Sequence, residues 1–312
     1  MPPRRRQSGD AETRSTAPAR VWRLRNLLPF RGRGKAADPA TPWGESHVPD
    51  SHPGDWDSDG LRAAQMIWGH ALLGPCSPDE LAALAAWLKP RRSTRIALLG
   101  AGLGGFALAL SRICRCRVTG FEQADMLLRL CPDLKHGHLR SLDSITVKTE
   151  RSFDHVVVDG LGHRAGDIAP LLKPAAALVS PRGSIVIRAY HAVSAAARAR
   201  PSHAVWRQSE PVHPHIPTRD ELLRQIDRMG FAVRNERAVA DVHVSGIEAR
   251  WTSAVELIPL LHGKKNHQTL IPALITEAGR WQARAELIRA GEIGVLELHC
   301  RRATELPDHT DG

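Results

Sequence analysis

Short apolar runs alternate with segments of helical periodicity through the middle of this chain. Short apolar or alternating runs predict buried strands, and apolar residues that recur every three to four positions predict amphipathic helices. The predicted strands are 96–99, 117–121, a weak strand near 143–147, 154–158, 184–188, 231–239 and 294–300. The predicted helices are 56–69, 77–88, 104–113, 123–130, 167–172, 218–229, 251–262 and 269–290. Strands alternating with helices predict an α/β fold with a doubly wound, mostly parallel sheet and helical additions.

The first two strands and the helix between them form a unit that is typical of nucleotide-binding sheets. A glycine-rich loop, GAGLGG at 100–105, joins strand to helix, and the second strand ends in Glu122. Glycines let the backbone approach a ligand, the helix N-terminus offers N–H groups, and the acid accepts ribose hydroxyls. The predicted cofactor-binding residues are Gly100, Ala101, Gly102, Gly104, Glu122 and Gln123. This spacing leaves NAD, FAD and S-adenosylmethionine open as the ligand.

Positive charge is concentrated near residue 1. The 312-residue chain has a net charge of +10, and its first 36 residues contain ten Arg or Lys against two acids. The other residues contain 33 bases and 31 acids, so this remainder is nearly neutral and a nucleic-acid substrate is not expected. We predict that residues 1–55 form a disordered basic tail. Its amphipathic stretch at 21–35 either contacts an anionic membrane peripherally or stays solvated.

Cysteine and histidine usage predicts no metal site. The five cysteines are odd in number and form no CxxC pair, which is typical of buried, reduced thiols in a cytoplasmic protein. His203, His213 and His215 lie in a proline-rich stretch without the carboxylate partners of a metal site. The sequence also has no apolar run long enough to span a membrane and no secretory signal pattern. We therefore expect a cytoplasmic location.

Two later motifs distinguish between the nucleotides. The segment 153–163 reads FDHVVVDGLGH, and the segment 178–190 reads LVSPRGSIVIRAY, with a tight turn expected at 181–183. Together with the glycine loop and Glu122, this order resembles class I S-adenosylmethionine-dependent methyltransferases. The resemblance implies a Rossmann-like methyltransferase fold, S-adenosylmethionine as cofactor and transfer of its methyl group. A NAD- or FAD-dependent oxidoreductase is the less favoured alternative, because the distal FAD motif of flavin monooxygenases is absent.

Within that family the chain is most similar to phosphoethanolamine-type small-molecule N-methyltransferases. The segments 67–70 and 73–77 stand where those enzymes carry an aromatic-Gly-Glu segment and a SPGG-like element. The resemblance covers about residues 56–301 and implies a methyltransferase domain at 56–305. The parts of this domain are N-terminal helices at 56–90, a cofactor-binding core at 91–240 and a helical and strand region at 241–301.

Candidate residues for the chemistry follow the fourth and fifth strands of this family pattern. His163 matches the family's histidine and is the expected base or orienting group, and Asp159 is expected to orient that histidine or the substrate. Methyl transfer is an in-line displacement, so alignment of the acceptor matters more than acid–base chemistry. The predicted substrate-contacting residues are Trp56, Trp68, Tyr190 and His191.

Two positions depart from the family pattern. Leu98 replaces the acid that interacts with the methionine end of the cofactor, so we expect weak binding that Leu98→Asp strengthens. Trp56 replaces the tyrosine that pairs with the histidine, and residues 210–217 do not match the phosphate-binding residues of those relatives. The sequence thus predicts N- or O-methylation of an unidentified small molecule. The alternative is a degenerate methyltransferase fold that serves as a binding or membrane-associated module.

Overall fold

Seven strands form one sheet in the structure, a computed structural model that describes residues 58–130, 138–145, 151–163, 168–211, 214–263 and 266–303. The strands are β1 Arg95–Leu99, β2 Arg117–Glu122, β3 His138–Ser141, β4 Phe153–Asp159, β5 Val179–Ala192, β6 Phe231–Ala238 and β7 Ile293–Arg302. Their order is β3-β2-β1-β4-β5-β7-β6, with β7 antiparallel to both of its neighbours and all other pairs parallel. The predicted doubly wound, mostly parallel sheet is confirmed.

The order of the strands reverses between β1 and β4. Strand β1 pairs with β2 in the register Leu99↔Phe121 and with β4 in the register Leu99↔Val158. In sheets of this kind the crevice outside the carboxyl ends of the strands, at the point of reversal, is where ligands bind. The loop after β1 and the residues that follow Asp159 therefore meet at one edge of the sheet.

Helices cover the sheet and extend it. They are α1 Ser58–Trp68, α2 Pro78–Leu88, α3 Gly105–Cys114, α4 Asp125–Leu130, α5 Ala169–Leu178, α6 Ala195–Arg198, α7 Pro201–Ser209, α8 Arg219–Arg228, α9 Ala240–Leu261 and α10 His267–Arg289. Helices α2 and α8 begin after the caps Ser77 and Thr218, each of which forms a capping box with the acid three residues later. None of the described helices is both long and apolar enough to cross a bilayer.

Several predicted elements begin or end elsewhere. The third strand lies at His138–Ser141, before the predicted 143–147, where residues 142–144 form a 3-10 turn instead. Helix α5 continues past Pro174, because the following turn buries Ala175 and Leu178 against the sheet. Helix α9 begins eleven residues before the predicted 251.

The predicted turn at 181–183 is a bulge inside β5. Pairing between β4 and β5 passes from Phe153↔Val179 directly to His155↔Ser184. Residues 180–183 of β5 therefore lie opposite a single residue of β4. A Cβ atom at Gly183 would lie 2.4 Å from the carbonyl oxygen of Asp154, so the bulge requires glycine there.

Arg188 on β5 is a buried cation at the centre of the fold. Its guanidinium is 3.1 Å from Asp159 on β4, 3.0 Å from Glu297 on β7 and 3.1 Å from Glu80 on α2. Burial alone would lower the pKa of Arg188, but the three carboxylates outweigh this effect and raise it. A second cation, Arg237, also contacts Glu297. One side chain thus joins three strands of the sheet to the helix α2 that covers it.

Helices α1, α9 and α10 pack against one another and form a cap next to the carboxyl end of β4. Arg284 on α10 donates to the carbonyl oxygen of Gly162 at 2.9 Å and pairs with Glu210 through two bonds of 2.7 and 2.6 Å. The Trp281 and Trp68 rings meet edge to face, with centroids 4.8 Å apart. The cap is therefore anchored by a buried ion pair and an aromatic contact.

Replacing Arg188 tests how far the fold depends on this cation. Arg188→Met leaves the buried Glu80 and Asp159 without their cation and Glu297 with Arg237 alone, and we expect it to lower the free energy of unfolding by about 3–5 kcal/mol. Arg219→Met removes a half-exposed pair with Glu236 and should cost about 1 kcal/mol or less. Equal losses in the two variants, measured by urea denaturation, would contradict a central role for Arg188.

The same variant should respond to pH. Burial raises the pKa of Asp159, and Arg188 opposes that effect, so the variant's Asp159 pKa should rise further. The folded variant then holds a proton that the unfolded chain releases, and its stability falls as pH rises. We expect the difference between wild type and Arg188→Met to be smaller at pH 5 than at pH 8.

Candidate active site

The glycine loop turns sharply from β1 into α3. Gly100, Gly102 and Gly104 adopt φ values of +79°, +57° and +89°, which side-chain-bearing residues rarely adopt. The Gly100 and Ala101 N–H groups both donate to the carbonyl oxygen of Phe121, at 3.0 and 3.1 Å. The loop is therefore tied to the end of β2, where Glu122 follows.

Glu122 is a buried acceptor for backbone N–H groups. It is only 1% exposed, and its Oε2 accepts from Gly102 N–H at 2.8 Å. Its Oε1 accepts from the N–H groups of Gln123 and Ala124, at 2.8 and 3.1 Å. The carboxylate predicted to bind a ribose thus also holds the glycine loop and the turn after β2 in place.

His163 lies against both the acid and the glycine loop. Its Nε2 is 3.5 Å from Glu122 Oε2, and the side chain is largely buried. A Cβ atom at Gly102 would lie 3.5 Å from His163 Nδ1. The structure therefore brings together three residues predicted from the sequence, with the histidine next to the acid that is predicted to bind a ribose.

Asp159 is held by the buried cation rather than by His163. Its Oδ1 accepts from Arg188 at 3.1 Å and from the Leu161 N–H at 3.3 Å. Burial raises the pKa of Asp159, and Arg188 opposes that rise. The Asp159 carboxylate is thereby fixed at the end of β4, next to the loop that carries His163, and its orienting role stays a prediction.

A crevice runs between the loop after β1 and the segment after α1. It encloses about 340 Å³, counted out to where it meets solvent, and is lined by residues 71–75, 100–102, Phe106, Asp159 and 162–163. The crevice coincides with the predicted cofactor loop and both predicted catalytic residues.

The segment 70–75, which overlaps the family-like segments at 67–70 and 73–77, forms a cover over the glycine loop. His70 and Ala71 have positive φ values of 53° and 59°, and Gln65 bonds both the Ala71 N–H and the Leu72 carbonyl. The Gly105 N–H donates to the Ala71 carbonyl at 3.0 Å, and a Cβ atom at Gly105 would lie 2.3 Å from the His70 oxygen. A small residue at the start of α3 thus lets the cover lie directly on the loop.

Two predicted substrate-contacting residues are packed inside the cap. Trp68 lies against Trp281, and the Tyr190 hydroxyl is 2.5 Å from Nε2 of the buried His243 on α9. Burial lowers the pKa of His243 to about 3 and raises that of Tyr190, so both are neutral near pH 7. His243 carries no motif that could have identified it in the sequence.

His191 does not join Tyr190 in one pocket. Strand β5 continues to Ala192, so adjacent side chains point to opposite faces of the sheet. A Cβ atom at Gly294 on β7 would lie 2.2 Å from His191 Nε2, so the imidazole covers that glycine. The expectation that both residues line one pocket is corrected by this alternation, and Trp56 lies outside the described residues.

Leu98 is part of the apolar core. It is fully buried in a cluster with Leu110, Val157 and Val186. An acid at this position would place a carboxylate among apolar side chains, which costs several kcal/mol. The expectation that Leu98→Asp strengthens cofactor binding is therefore replaced by an expected loss of stability.

Metal ligation is not supported in the described part of the chain. There, no group of three or more His, Cys, Asp or Glu side chains is arranged to hold an ion. His203 is buried against Trp206, with ring centroids 5.3 Å apart. It belongs to α7 and faces the core, and His213 lies outside the described residues.

Solved methyltransferase structures share this architecture. A SAM-dependent methyltransferase from Thiobacillus denitrificans, solved with S-adenosyl-L-homocysteine, is 16% identical at a TM-score of 0.54, over 76% of this chain and 97% of that chain. Phosphoethanolamine N-methyltransferase 2 from Haemonchus contortus was solved with S-adenosyl-L-methionine. It is 14% identical, with a TM-score of 0.62, over 78% of this chain and 57% of that chain. A cyclopropane synthase from Mycobacterium tuberculosis is 12% identical, with a TM-score of 0.59, over 79% of this chain and 95% of that chain.

The chain has the class I methyltransferase fold. The Rossmann-like fold implied by the glycine loop, Glu122 and the two later motifs is thereby confirmed. No protein-family model and no curated protein compared with the sequence matches it. The likeness to known proteins therefore concerns the fold alone.

Glu122→Gln tests the geometry of the methyltransferase loop without any ligand. An amide has one acceptor oxygen, so it cannot serve both the Gly102 N–H and the Gln123 and Ala124 N–H groups. We expect the substitution to lower the free energy of unfolding by about 1–3 kcal/mol. Glu236→Gln, at a partly exposed ion pair, should cost less, and the reverse ranking in urea denaturation would refute the assigned role of Glu122.

Proposed function

We propose that this protein is an S-adenosylmethionine-dependent methyltransferase that acts on a small molecule at nitrogen or oxygen. The single observation that carries the proposal is Glu122, a buried carboxylate bound to the N–H of Gly102 at the reversal point of a methyltransferase sheet. The structures solved with S-adenosylmethionine or S-adenosylhomocysteine support the same cofactor. The neutral charge balance of residues 37–312 favours a small acceptor over a nucleic acid.

The residues present fit this cofactor. The Gly100–Gly104 loop offers a closely approachable backbone, and Glu122 offers an acceptor for ribose hydroxyls. A carboxylate has about four acceptor positions, of which backbone N–H groups use three in Glu122. Since His163 lies against Oε2, a ribose hydroxyl would have to replace the histidine at that oxygen. When bound, the cofactor supplies an electrophilic methyl group on a sulfonium.

The chain's own residues would position the acceptor and exclude water. His163 is the candidate to hold or remove a proton at its imidazole, and Arg188 fixes Asp159 beside it. The cover at 70–75 lines one side of the crevice and lies directly on the glycine loop. Alignment and exclusion of water are the main requirements of an in-line displacement at a sulfonium.

Calorimetric titration of the full chain tests the cofactor. We expect micromolar binding of S-adenosylmethionine and of S-adenosylhomocysteine, because the loop and Glu122 are present and the acid at position 98 is not. Glu122→Ala should weaken binding about tenfold to a hundredfold, through loss of a charge-assisted hydrogen bond and of loop order. Glu236→Ala is the matched control on the surface. Heat with FAD or NAD and none with S-adenosylmethionine would show that the proposal is wrong.

His163→Ala tests the chemistry after an acceptor has been found by screening small amines and phenols for formation of S-adenosylhomocysteine. We expect kcat to fall about a hundredfold or more if the imidazole moves a proton. Cofactor affinity should rise a few-fold, because the ribose no longer competes with the histidine for Glu122. His215→Ala, in an exposed loop, is the control. An unchanged kcat would show that alignment alone carries the reaction.

A further inference from the structure

Two cysteines flank the turn between α3 and β2. Cys114 is the last residue of α3, Arg115 ends the helix in a left-handed conformation, and Cys116 directly precedes β2. Exposure alternates along residues 113–117: Cys114 and Cys116 are 6% and 7% exposed, whereas the residues on either side of each are exposed. Both cysteines belong to the same apolar cluster. The two thiols therefore lie on the inner side of one turn, close below the surface.

The backbone of this turn brings the two Cα atoms to a distance that a disulfide can span. Arg115 has φ 51° and ψ 38°, close to the values of an ideal left-handed helix. A left-handed turn is the mirror image of an α-helical one, in which Cα atoms two residues apart are about 5.4 Å from each other. Disulfides join Cα atoms that are about 4.4–6.8 Å apart. The Ser111 hydroxyl donates to the Cys116 carbonyl at 2.7 Å and so holds the turn against the end of α3.

The two thiols also interact with each other. The Cys114 thiol donates to the Cys116 sulfur, which lowers the pKa of Cys116 and raises that of Cys114. Cys116 is therefore the cysteine that more readily forms an attacking thiolate. The exposed Arg115 and Arg117 on either side of it attract a disulfide compound that carries negative charge.

We propose that Cys114 and Cys116 are a redox-active dithiol, which a small anionic disulfide such as oxidised glutathione converts into an intramolecular disulfide. The Cys116 thiolate attacks one sulfur of the small disulfide, forms a mixed disulfide and releases the first thiolate. The Cys114 thiol then loses its proton and attacks the Cys116 sulfur, which breaks the mixed disulfide and releases the second thiolate. The two cysteines lose two electrons and two protons, and the small disulfide becomes two thiols.

The internal disulfide should be readily reversible. It closes a ring of only three residues, so it restrains the unfolded chain little and gains little stability from that restraint. Reduced glutathione in excess should therefore restore both thiols. This dithiol chemistry is independent of the proposed methyl transfer.

Peptide mapping of the native full chain after incubation with oxidised glutathione tests the proposal. Unreacted thiols are blocked with N-ethylmaleimide in acidic urea, and trypsin then cleaves after Arg115, between the two cysteines. We expect peptides 113–115 and 116–117 to be joined by a disulfide that a reductant removes. Burial raises the pKa of Cys76 and Cys300 to about 12, so both should carry the blocking group and serve as internal controls. Blocked thiols at both 114 and 116, or a disulfide from either peptide to the one that contains residue 131, overturn the proposal.

Single variants separate the roles of the two thiols. Cys114→Ser should retain one glutathione at Cys116, because the second attacking thiol is missing. Cys116→Ser should take up glutathione at Cys114 at least about tenfold more slowly. Cys76→Ser is the matched control and should form the internal disulfide as wild type does. Equal rates of uptake in the first two variants overturn the assigned order of attack. The mapping of wild type needs no substitution, so it decides the proposal even where a variant fails to fold.

Discussion

The buried guanidinium of Arg188 is the interaction on which the arrangement of elements depends. A buried charge is tolerated only where it is paired, and Arg188 finds its partners on three different elements. Glu80 fixes α2 over the sheet, Asp159 fixes the end of β4, and Glu297 fixes the register of the antiparallel strand β7. The Arg188 guanidinium also lies 4.7 Å from the centroid of the Phe106 ring on α3. Moving α2 or β4 would leave a buried carboxylate without its cation.

The same sheet face explains why position 98 is apolar. Leu98, Val157 and Val186 form a row across β1, β4 and β5, and two residues further along each strand come Gly100, Asp159 and Arg188. Side chains two residues apart share a face of the sheet. Arg188 in this second row already pairs with three carboxylates. An acid at position 98 would add a fourth negative charge on the same face of the sheet. The charged side chains at this edge of the sheet are thus Asp159 on β4 and Arg188 on β5, whereas the residue that follows β1 in this row is a glycine.

Local signals in the sequence predicted most of the fold. The glycine loop, the acid after β2 and the capping boxes at Ser77 and Thr218 involve residues within one element or one turn. The ion cluster was not predicted, because Glu80 and Glu297 each lie more than 100 residues from Arg188. Strand β3 was misplaced because its residues, HLRS, have little apolar character.

The candidate site was predictable in part for the same reason. Gly102, Glu122 and His163 follow strands whose ends meet at one edge, so their proximity follows from strand order. The separation of Tyr190 from His191 depends on where β5 ends, and the predicted end at 188 was four residues too early. The pairing of Tyr190 with His243 depends on how α9 packs, for which the sequence contains no local signal.

Access to the crevice and the packing of the cap are physically coupled. Gly74, in the cover, lies so close to the cap that a Cβ atom there would be 2.8 Å from Trp281 Cη2 and 3.2 Å from Gly162 Cα. Trp281 in turn packs against Trp68 and is held by Glu277 through its indole N–H at 2.7 Å. A displacement of the cover that widens the crevice therefore removes Gly74 from Trp281 and loosens the cap. Since Arg284 connects the cap to Gly162, beside His163, such a movement also reaches the loop that lies on Glu122. The cover, the cap and the loop that carries His163 are therefore coupled through direct contacts.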